Sequence, residues 1–318
     1  MKPTLLAIAG PTAAGKSALA LALCERIASG GTPWSSAEIV SVDSAQIYRG
    51  MDIGTAKPDA ATRATVPHHL LDLLDPAEAY SAARFARDAR SAIQAIHTRG
   101  ALPILVGGTL LYFRALLDGL NELPSADPAV RSAIEAEAAQ IGWEAMHERL
   151  AEVDAPTAAR LHPNDAQRIG RALEVFTLTG EPLSQAHAAP AMPALDARVL
   201  RYAVLPQDRG LLGQRIEQRL RQMMDTGFID EVVRLHRRPD LHPGLPSIRA
   251  VGYRQIWSYL DGEYDRDEAF RRSVYATRQY AKRQLTWLRG DPRWHALEAT
   301  EPVALEPVLF DACAMQQT

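Results

Sequence analysis

The sequence predicts an α/β protein: a parallel sheet flanked by helices, with an all-helical domain inserted into it. Three observations predict this. Short apolar runs alternate with helical stretches over residues 1–120, a glycine-rich turn joins the first run to a helix, and residues 121–195 offer no strand candidate. The runs Leu5–Gly10, Ile39–Asp43 and Leu102–Gly108 read as strands, with glycine or aspartate at their exits. Ser17–Ala28 and Ala82–His97 read as helices between them. The segment 28–38, "ASGGTPWSSAE", reads as a surface connection without a role. Beyond 120 the stretches 125–140, 142–154, 155–162 and 164–180 read as four helices. Ser125-Ala126-Asp127-Pro128 and Asn164-Asp165 are start signals, and Gly180 is a C-terminal cap. After the proline-containing 188–196, Val199–Leu205 returns to strand character, and the chain to about 290 is mostly helical. The domains expected are 1–120 with 196–318, and the insertion 121–195.

Composition fits a soluble globular chain: 318 residues, 47% hydrophobic and 23% charged. Cys24 and Cys313 build no disulfide framework and no metal-ligand spacing, which points to a reducing cytoplasm. No signal segment and no membrane span is expected. The net charge of −3 hides segregation, because residues 121–195 carry 11 acidic and 5 basic side chains. Residues 271–290, by contrast, hold six Lys/Arg and no acid, an arrangement that suits a polyanionic partner.

Gly10-Pro11-Thr12-Ala13-Ala14-Gly15-Lys16-Ser17 fits the G-x-x-x-x-G-K-[ST] pattern between a strand and a helix. Such a loop turns backbone N–H groups onto a phosphate, and the helix N-terminus adds partial positive charge. Lys16 neutralises terminal phosphate oxygens, and the Ser17 hydroxyl can ligate Mg2+. Asp43, at the tip of the next strand, is at this stage equally a Mg2+ ligand of an ATPase or kinase and a base for another reaction.

The text around these residues narrows the choice. "GPTAAGKS" (10–17), "VDSAQIYRGMDIGTAKP" (42–58), "LVGGTLLYFRALLDGL" (105–120), "HPNDAQRIGRALEVF" (162–176), "SIRAVGYRQIW" (247–257) and "TRQYAKRQLTWLR" (277–289) resemble, in order, the segments of the tRNA dimethylallyltransferases, also called tRNA isopentenyltransferases. The chain is similar to the bacterial type, since it has no Cys/His cluster for the zinc finger of eukaryotic members; its 28–38 loop is longer than the family pattern. The resemblance implies a P-loop NTPase-like core with an inserted helical domain that binds the tRNA anticodon stem-loop. It implies that the loop holds the diphosphate of dimethylallyl diphosphate rather than ATP, with Mg2+. The reaction implied is transfer of the dimethylallyl group to N6 of the adenosine 3′-adjacent to the anticodon, in tRNAs that read codons beginning with U.

The resemblance also implies roles. Asp43 accepts the N6 proton, Lys16 and the loop amides stabilise the departing diphosphate, and Thr109 donates to the oxygen between carbon and phosphorus or caps the helix after it. Arg219 in "QRIEQRLRQM" touches diphosphate, with Arg215 one turn away as the alternative. The tRNA-contacting positions implied are Asp43, Ser44, Ala45 and Gln46; Thr109 and Arg131; and Gln167, Arg168, Ile169, Gly170 and Arg171. They continue with Arg249, Ala250, Val251, Gly252, Tyr253 and Arg254, then Lys282, Arg283, Gln284, Leu285, Thr286, Trp287, Leu288 and Arg289. On a helix, Arg271, Arg278, Lys282 and Arg289 form one stripe beside an apolar stripe of Val274, Ala281, Leu285 and Leu288. Tyr275, Tyr280 and Trp287 are expected in the core rather than as base platforms. In the acidic insertion, Arg131, Arg160, Arg168 and Arg171 are expected to face RNA while the acids face solvent. A monomeric cytoplasmic enzyme is expected. The alternatives are a transferase acting on free adenine nucleotides, a small-molecule P-loop kinase and a non-enzymatic RNA-binding protein.

Overall fold

The computed structural model describes residues 2–121, 123, 124, 127–186, 190–298 and 305–317. In chain order its elements are β1 (Thr4–Ala9), α1 (Lys16–Ala28), β2 (Ala37–Val42), α2 (Ala60–Thr65), β3 (His68–His69), α3 (Ala82–Thr98), β4 (Leu102–Gly107) and α4 (Leu110–Leu117). There follow β5 (Leu120–Asn121), α5 (Pro128–Val153), α6 (Ala155–Ala158), α7 (Ala166–Thr179), α8 (Leu183–Ala186) and β6 (Pro190–Met192). The chain closes with β7 (Arg198–Leu205), α9 (Arg209–Asp225), α10 (Phe228–His236), α11 (Tyr253–Leu260), α12 (Arg266–Arg289), β8 (His295–Glu298) and α13 (Leu305–Gln317).

Two compact units result, one of Met1–Leu116 with Leu195–Thr318, the other of Leu117–Ala194. The first is built on a six-stranded sheet in the order β3-β2-β4-β1-β7-β8, with every pair parallel. β1, β2 and β4 are buried along their whole length, as a sheet covered on both faces requires. Leu6, Ile8, Ile104, Tyr202 and Val204 meet Leu23 and Ile27 of α1 and Val308 of α13 in one core cluster. Parallel strands send all their C-terminal ends to one edge, where ligands of such sheets collect.

In the second unit, Asp127 accepts from the N–H groups of Ala129 and Val130 at the start of α5, with Pro128 in the first turn. Ser125 and Ala126 of the same start signal lie outside the described residues. The two helices expected at 125–140 and 142–154 both lie within α5, separated by a kink at Gly142, whose φ of 82° and ψ of 159° are not helical. Asp165 caps α7 through the Arg168 N–H, and Gly180 ends it in the left-handed conformation. Ile134, Met146, Leu150, Ile169 and Leu173 form the core of this unit.

Several expectations are corrected. The insertion does contain strand: β5 and β6 pair antiparallel, in two and three residues too short to leave a pattern. The segment 28–38 is not idle, since Trp34 is buried in the core cluster and β2 already begins at Ala37. The two-residue β3 and the mostly exposed edge strand β8 carry too little alternation to be seen in sequence. Among the described residues, no helix is long and apolar enough to cross a membrane.

Candidate active site

The loop between β1 and α1 has the backbone of an anion cradle. Gly15 sits at φ 94° and Ala13 at φ 62°, left-handed positions that turn successive N–H groups to one side. Lys16 folds back so that its Nζ donates to the Pro11 carbonyl at 3.2 Å. Burial lowers the Lys16 pKa to about 8, against the pull of the nearby Asp43 carboxylate and with a further push from Arg219. Its side chain is nevertheless half-exposed through the mouth of the cavity described below. A partly desolvated ammonium of this kind gains from an arriving anion.

Asp43 follows the last residue of β2. Its Oδ1 accepts from the N–H groups of Ala45 at 2.8 Å and Gln46 at 3.3 Å, which fixes the carboxylate in a tight turn. Oδ2 takes no hydrogen bond among the described residues, so half of the carboxylate is available to a ligand. Asp43 is half-buried rather than sealed in the core. Thr109, just beyond β4, accepts from the Ser44 N–H at 3.1 Å and donates to the Ser44 hydroxyl at 3.4 Å. While its carbonyl accepts from the N–H groups of Tyr112 at 2.9 Å and Phe113 at 3.4 Å at the start of α4, the Thr109 hydroxyl thus packs against the turn after Asp43. This contact requires the two strand tips to be close. A Cβ on Gly107 would lie 2.0 Å from the Val42 carbonyl oxygen, so only glycine fits there.

These tips open into one cavity of about 580 Å³. Lys16 and Ser17 of α1, Asp43, and Arg219 of α9 all line it. Arg215, one turn away from Arg219, is not among the lining residues. Burial lowers the Arg219 pKa and Asp43 opposes that shift; the guanidinium makes no direct hydrogen bond or ion pair among the described residues. Ile216, Leu220, Met223 and Phe228 supply an apolar wall. Tyr280 of α12 also lines the cavity. Burial and the Asp43 charge push its phenol up to about 12, so it stays a neutral donor. Arg283 lies over its ring, 5.8 Å from the centroid.

A buried carboxylate that sequence reasoning missed shapes one side of this cavity. Glu231 of α10 accepts from the N–H groups of Asp52 (2.9 Å), Ile53 (2.8 Å) and Gly54 (3.1 Å), and from the Tyr253 hydroxyl (2.5 Å). Lys57, with no exposed side-chain surface, bonds the Tyr48 carbonyl, Asp52 and Asp72 at 2.6–2.7 Å. Together they lock the 48–57 segment that follows Asp43. The carboxylate and the amides it satisfies stand about 180 residues apart in sequence, at |i−j| of 177 to 179, so no local pattern reveals them.

The remaining candidates divide. Ser44, Arg249, Arg254, Lys282, Arg283, Thr286, Trp287 and Arg289 are exposed in the first unit, and Gln167, Arg168 and Arg131 in the second. Ala45, Gln46, Ala250 and Val251 are half-buried along the cavity, and Gly170 is half-buried beside Trp143. Five expected tRNA positions have buried side chains, Ile169, Tyr253, Gln284, Leu285 and Leu288, at 0 to 5% exposure, and of these Tyr253 and Gln284 line the cavity. Gly252 is buried with them. The apolar stripe of α12 is buried as its periodicity requires, but the aromatic residues reverse expectation: Tyr275 is 66% and Trp287 45% exposed. Two of the four stripe cations are engaged within the chain, Arg271 with Glu268 and Arg278 with Glu217 and the Gly213 carbonyl. Lys282 and Arg289 make no ion pair among the described residues.

In the second unit the four arginines expected to face RNA also have partners within the chain. Glu174 is fully buried and ties Arg131 (2.9 Å), Arg171 (2.7 Å) and the Asp127 N–H (2.9 Å) together. Burial raises its pKa, but these donors outweigh burial and hold it below the usual carboxylate range. Arg171 also donates to the Pro124 carbonyl, Arg160 bonds its own turn, and Arg168 pairs with Asp165. Arg131 and Arg171 therefore organise the unit around one buried acid.

Among the described residues, no group of three His, Cys, Asp or Glu could hold a metal by itself. The Ser17 hydroxyl on this cavity is a hard oxygen donor, which fits Mg2+ that takes the rest of its shell from phosphate oxygens and water.

Comparison with known proteins agrees with this geometry. The IPP transferase family profile matches residues 46–291. A tRNA dimethylallyltransferase of Halorhodospira halophila is 59% identical over 290 residues, covering 91% of each chain. The full-length tRNA isopentenylpyrophosphate transferase of Bacillus halodurans has a similar structure, with TM-score 0.69, 34% identity and 100% of both chains covered. A eukaryotic dimethylallyltransferase caught acting on tRNA gives TM-score 0.74 at 26% identity, over 99% of this chain and 77% of the other.

Proposed function

The chain belongs to the IPP transferase family, and from that premise we infer that it transfers the dimethylallyl group of dimethylallyl diphosphate to an adenosine of tRNA, releasing diphosphate. The acceptor is N6 of the adenosine 3′-adjacent to the anticodon in tRNAs reading codons that begin with U. The observation that carries this reading is the shared cavity, in which a phosphate loop and a half-free carboxylate at the next strand tip face one space with an apolar wall. A phosphate loop alone suits any nucleotide enzyme. The pairing with Asp43 and that wall suits an apolar group leaving a diphosphate for a weakly nucleophilic amine.

The chemistry follows from the positions. The bond from the allylic carbon to the diphosphate oxygen breaks, a carbon–nitrogen bond to N6 forms, and the N6 proton goes to the free Oδ2 of Asp43. Lys16, the loop amides and Arg219 are fixed around the leaving diphosphate before reaction, the usual source of electrostatic stabilisation. Ser17, with phosphate oxygens, would hold Mg2+, whose charge offsets that of the diphosphate. Thr109, whose hydroxyl donates to Ser44 in this structure, would turn that proton to the bridging oxygen. The adenine must leave its stack to reach Asp43, which an unpaired loop base does at modest cost.

On the RNA side, Lys282, Arg283 and Arg289 with the exposed Trp287 suit a phosphodiester backbone with an unstacked base beside it. A free-nucleotide acceptor would not need them. The helical unit is read as the part that holds the anticodon stem-loop, through Gln167 and Arg168. The enzyme is read as a cytoplasmic monomer. Incubation with labelled dimethylallyl diphosphate and unmodified tRNA, AMP, or ATP with small alcohols tests the reading. Label in tRNA alone supports it, and label in AMP or phosphate transfer from ATP overturns it.

A further inference from the structure

The side-chain amide of Gln284 is 4% exposed, and both of its ends are used. Its Oε1 accepts from the Thr12 N–H in the phosphate loop at 3.1 Å, and its Nε2 donates to the Gly108 carbonyl at 2.9 Å. Those partners lie 272 and 176 residues away, on two different strand exits. One exit carries the anion cradle and the other carries Thr109. The family resemblance implies Gln284, with its neighbours Lys282 and Arg283, as an RNA contact. Its side chain lines the cavity instead of lying on the open face of α12.

We propose that Gln284 is a positioning residue for the transfer reaction: it hangs the phosphate loop and the Gly108–Thr109 turn from helix α12 at a fixed separation. Three features require an amide. Thr12 offers a backbone donor and Gly108 a backbone acceptor, and only a side chain with one acceptor and one donor end meets both. Both groups are part-buried or buried, so losing the amide leaves them unpaired. The Thr12 N–H is also withdrawn from phosphate binding, which leaves the later loop amides, Lys16 and Ser17 to meet the ligand. The inference rests on the reading that this loop takes dimethylallyl diphosphate.

The test compares wild type with Gln284→Leu, which keeps shape and removes both hydrogen bonds, and Gln284→Glu, which keeps the acceptor and loses the donor. Val274→Ala, a cavity variant of the buried stripe of α12 away from the site, controls for loosening of the helix. Binding of dimethylallyl diphosphate with Mg2+ is measured by calorimetry without tRNA, kcat and KM with tRNA, and folding by thermal melting. Gln284→Leu is expected to weaken diphosphate binding about tenfold or more and to lower kcat at saturating substrate. Val274→Ala should melt earlier yet bind the diphosphate as wild type does. Wild-type affinity and kcat in a folded Gln284→Leu would overturn the proposal. So would an equal loss in Val274→Ala, since helix looseness alone would then explain it. A wild type that fails to bind dimethylallyl diphosphate overturns the reading of the loop itself, a separate outcome.

Discussion

The two units use arginine in opposite ways. In the core unit, Arg219 lines the cavity with no hydrogen bond or ion pair among the described residues, and burial pushes its pKa down against the pull of the Asp43 charge. In the helical unit, Arg131 and Arg171 close onto the buried Glu174. A cation left without a partner in a low-dielectric cavity is poised for an anion from outside, whereas a paired one is already satisfied and serves the fold. Counting basic residues therefore says little about where a polyanion binds; what each guanidinium already touches says more.

The largest effect should come from the core. Asp43→Asn keeps the turn acceptor but removes the proton acceptor, so kcat should fall between about 100-fold and 10,000-fold while tRNA still binds in a filter assay. Full activity would remove Asp43 from the chemistry. The comparison is next tested from the other side. Glu174→Ala should cost the helical unit about 3 kcal/mol, read by denaturant unfolding, because Arg171 and the Asp127 N–H lose a buried acceptor. Dimethylallyl diphosphate affinity should stay unchanged. Since donors hold the Glu174 pKa low, this stabilisation exists above the ordinary carboxylate pKa and is lost as pH falls through the lowered value.

Arg219→Gln should reduce kcat/KM about 100-fold, and Arg215→Gln far less, which sharpens the contrast between a cation in the cavity and its neighbour outside it. Reversing Lys282 and Arg289 to Glu should weaken tRNA about tenfold at low salt and lower the salt slope by about 1.5, with diphosphate binding intact. The smallest effect concerns pH. Free Lys16 loses its proton near pH 8, so diphosphate affinity should decline as pH rises through that value. Binding there should also take up protons, visible as a buffer-dependent heat, because the ligand anion raises the Lys16 pKa. Lys16→Arg should remove both signals.

What was legible in sequence was local. The phosphate loop, Asp43 at a strand tip and the Gly-Gly-Thr turn each lie within a few consecutive residues, and the strands bearing them are continuous apolar runs. What escaped is made by distant partners: Glu231 with the 52–54 amides, and Gln284 with Thr12 and Gly108. Arg131 and Arg171 escaped for a related reason, because a helical register places both near Glu174 only once α5 and α7 have packed. Tyr275 and Trp287 misled because aromatic residues are read as core by default, and α12 turns these two outward.

The contact of Gly107 with the Val42 carbonyl has a consequence for heredity. With no room for even a methyl group, mutation at this codon cannot be absorbed locally: it must pry two neighbouring strand ends apart and carry Asp43 away from Thr109. One glycine thereby sets the spacing of both strand tips, and with it the contact between the Asp43 turn and Thr109.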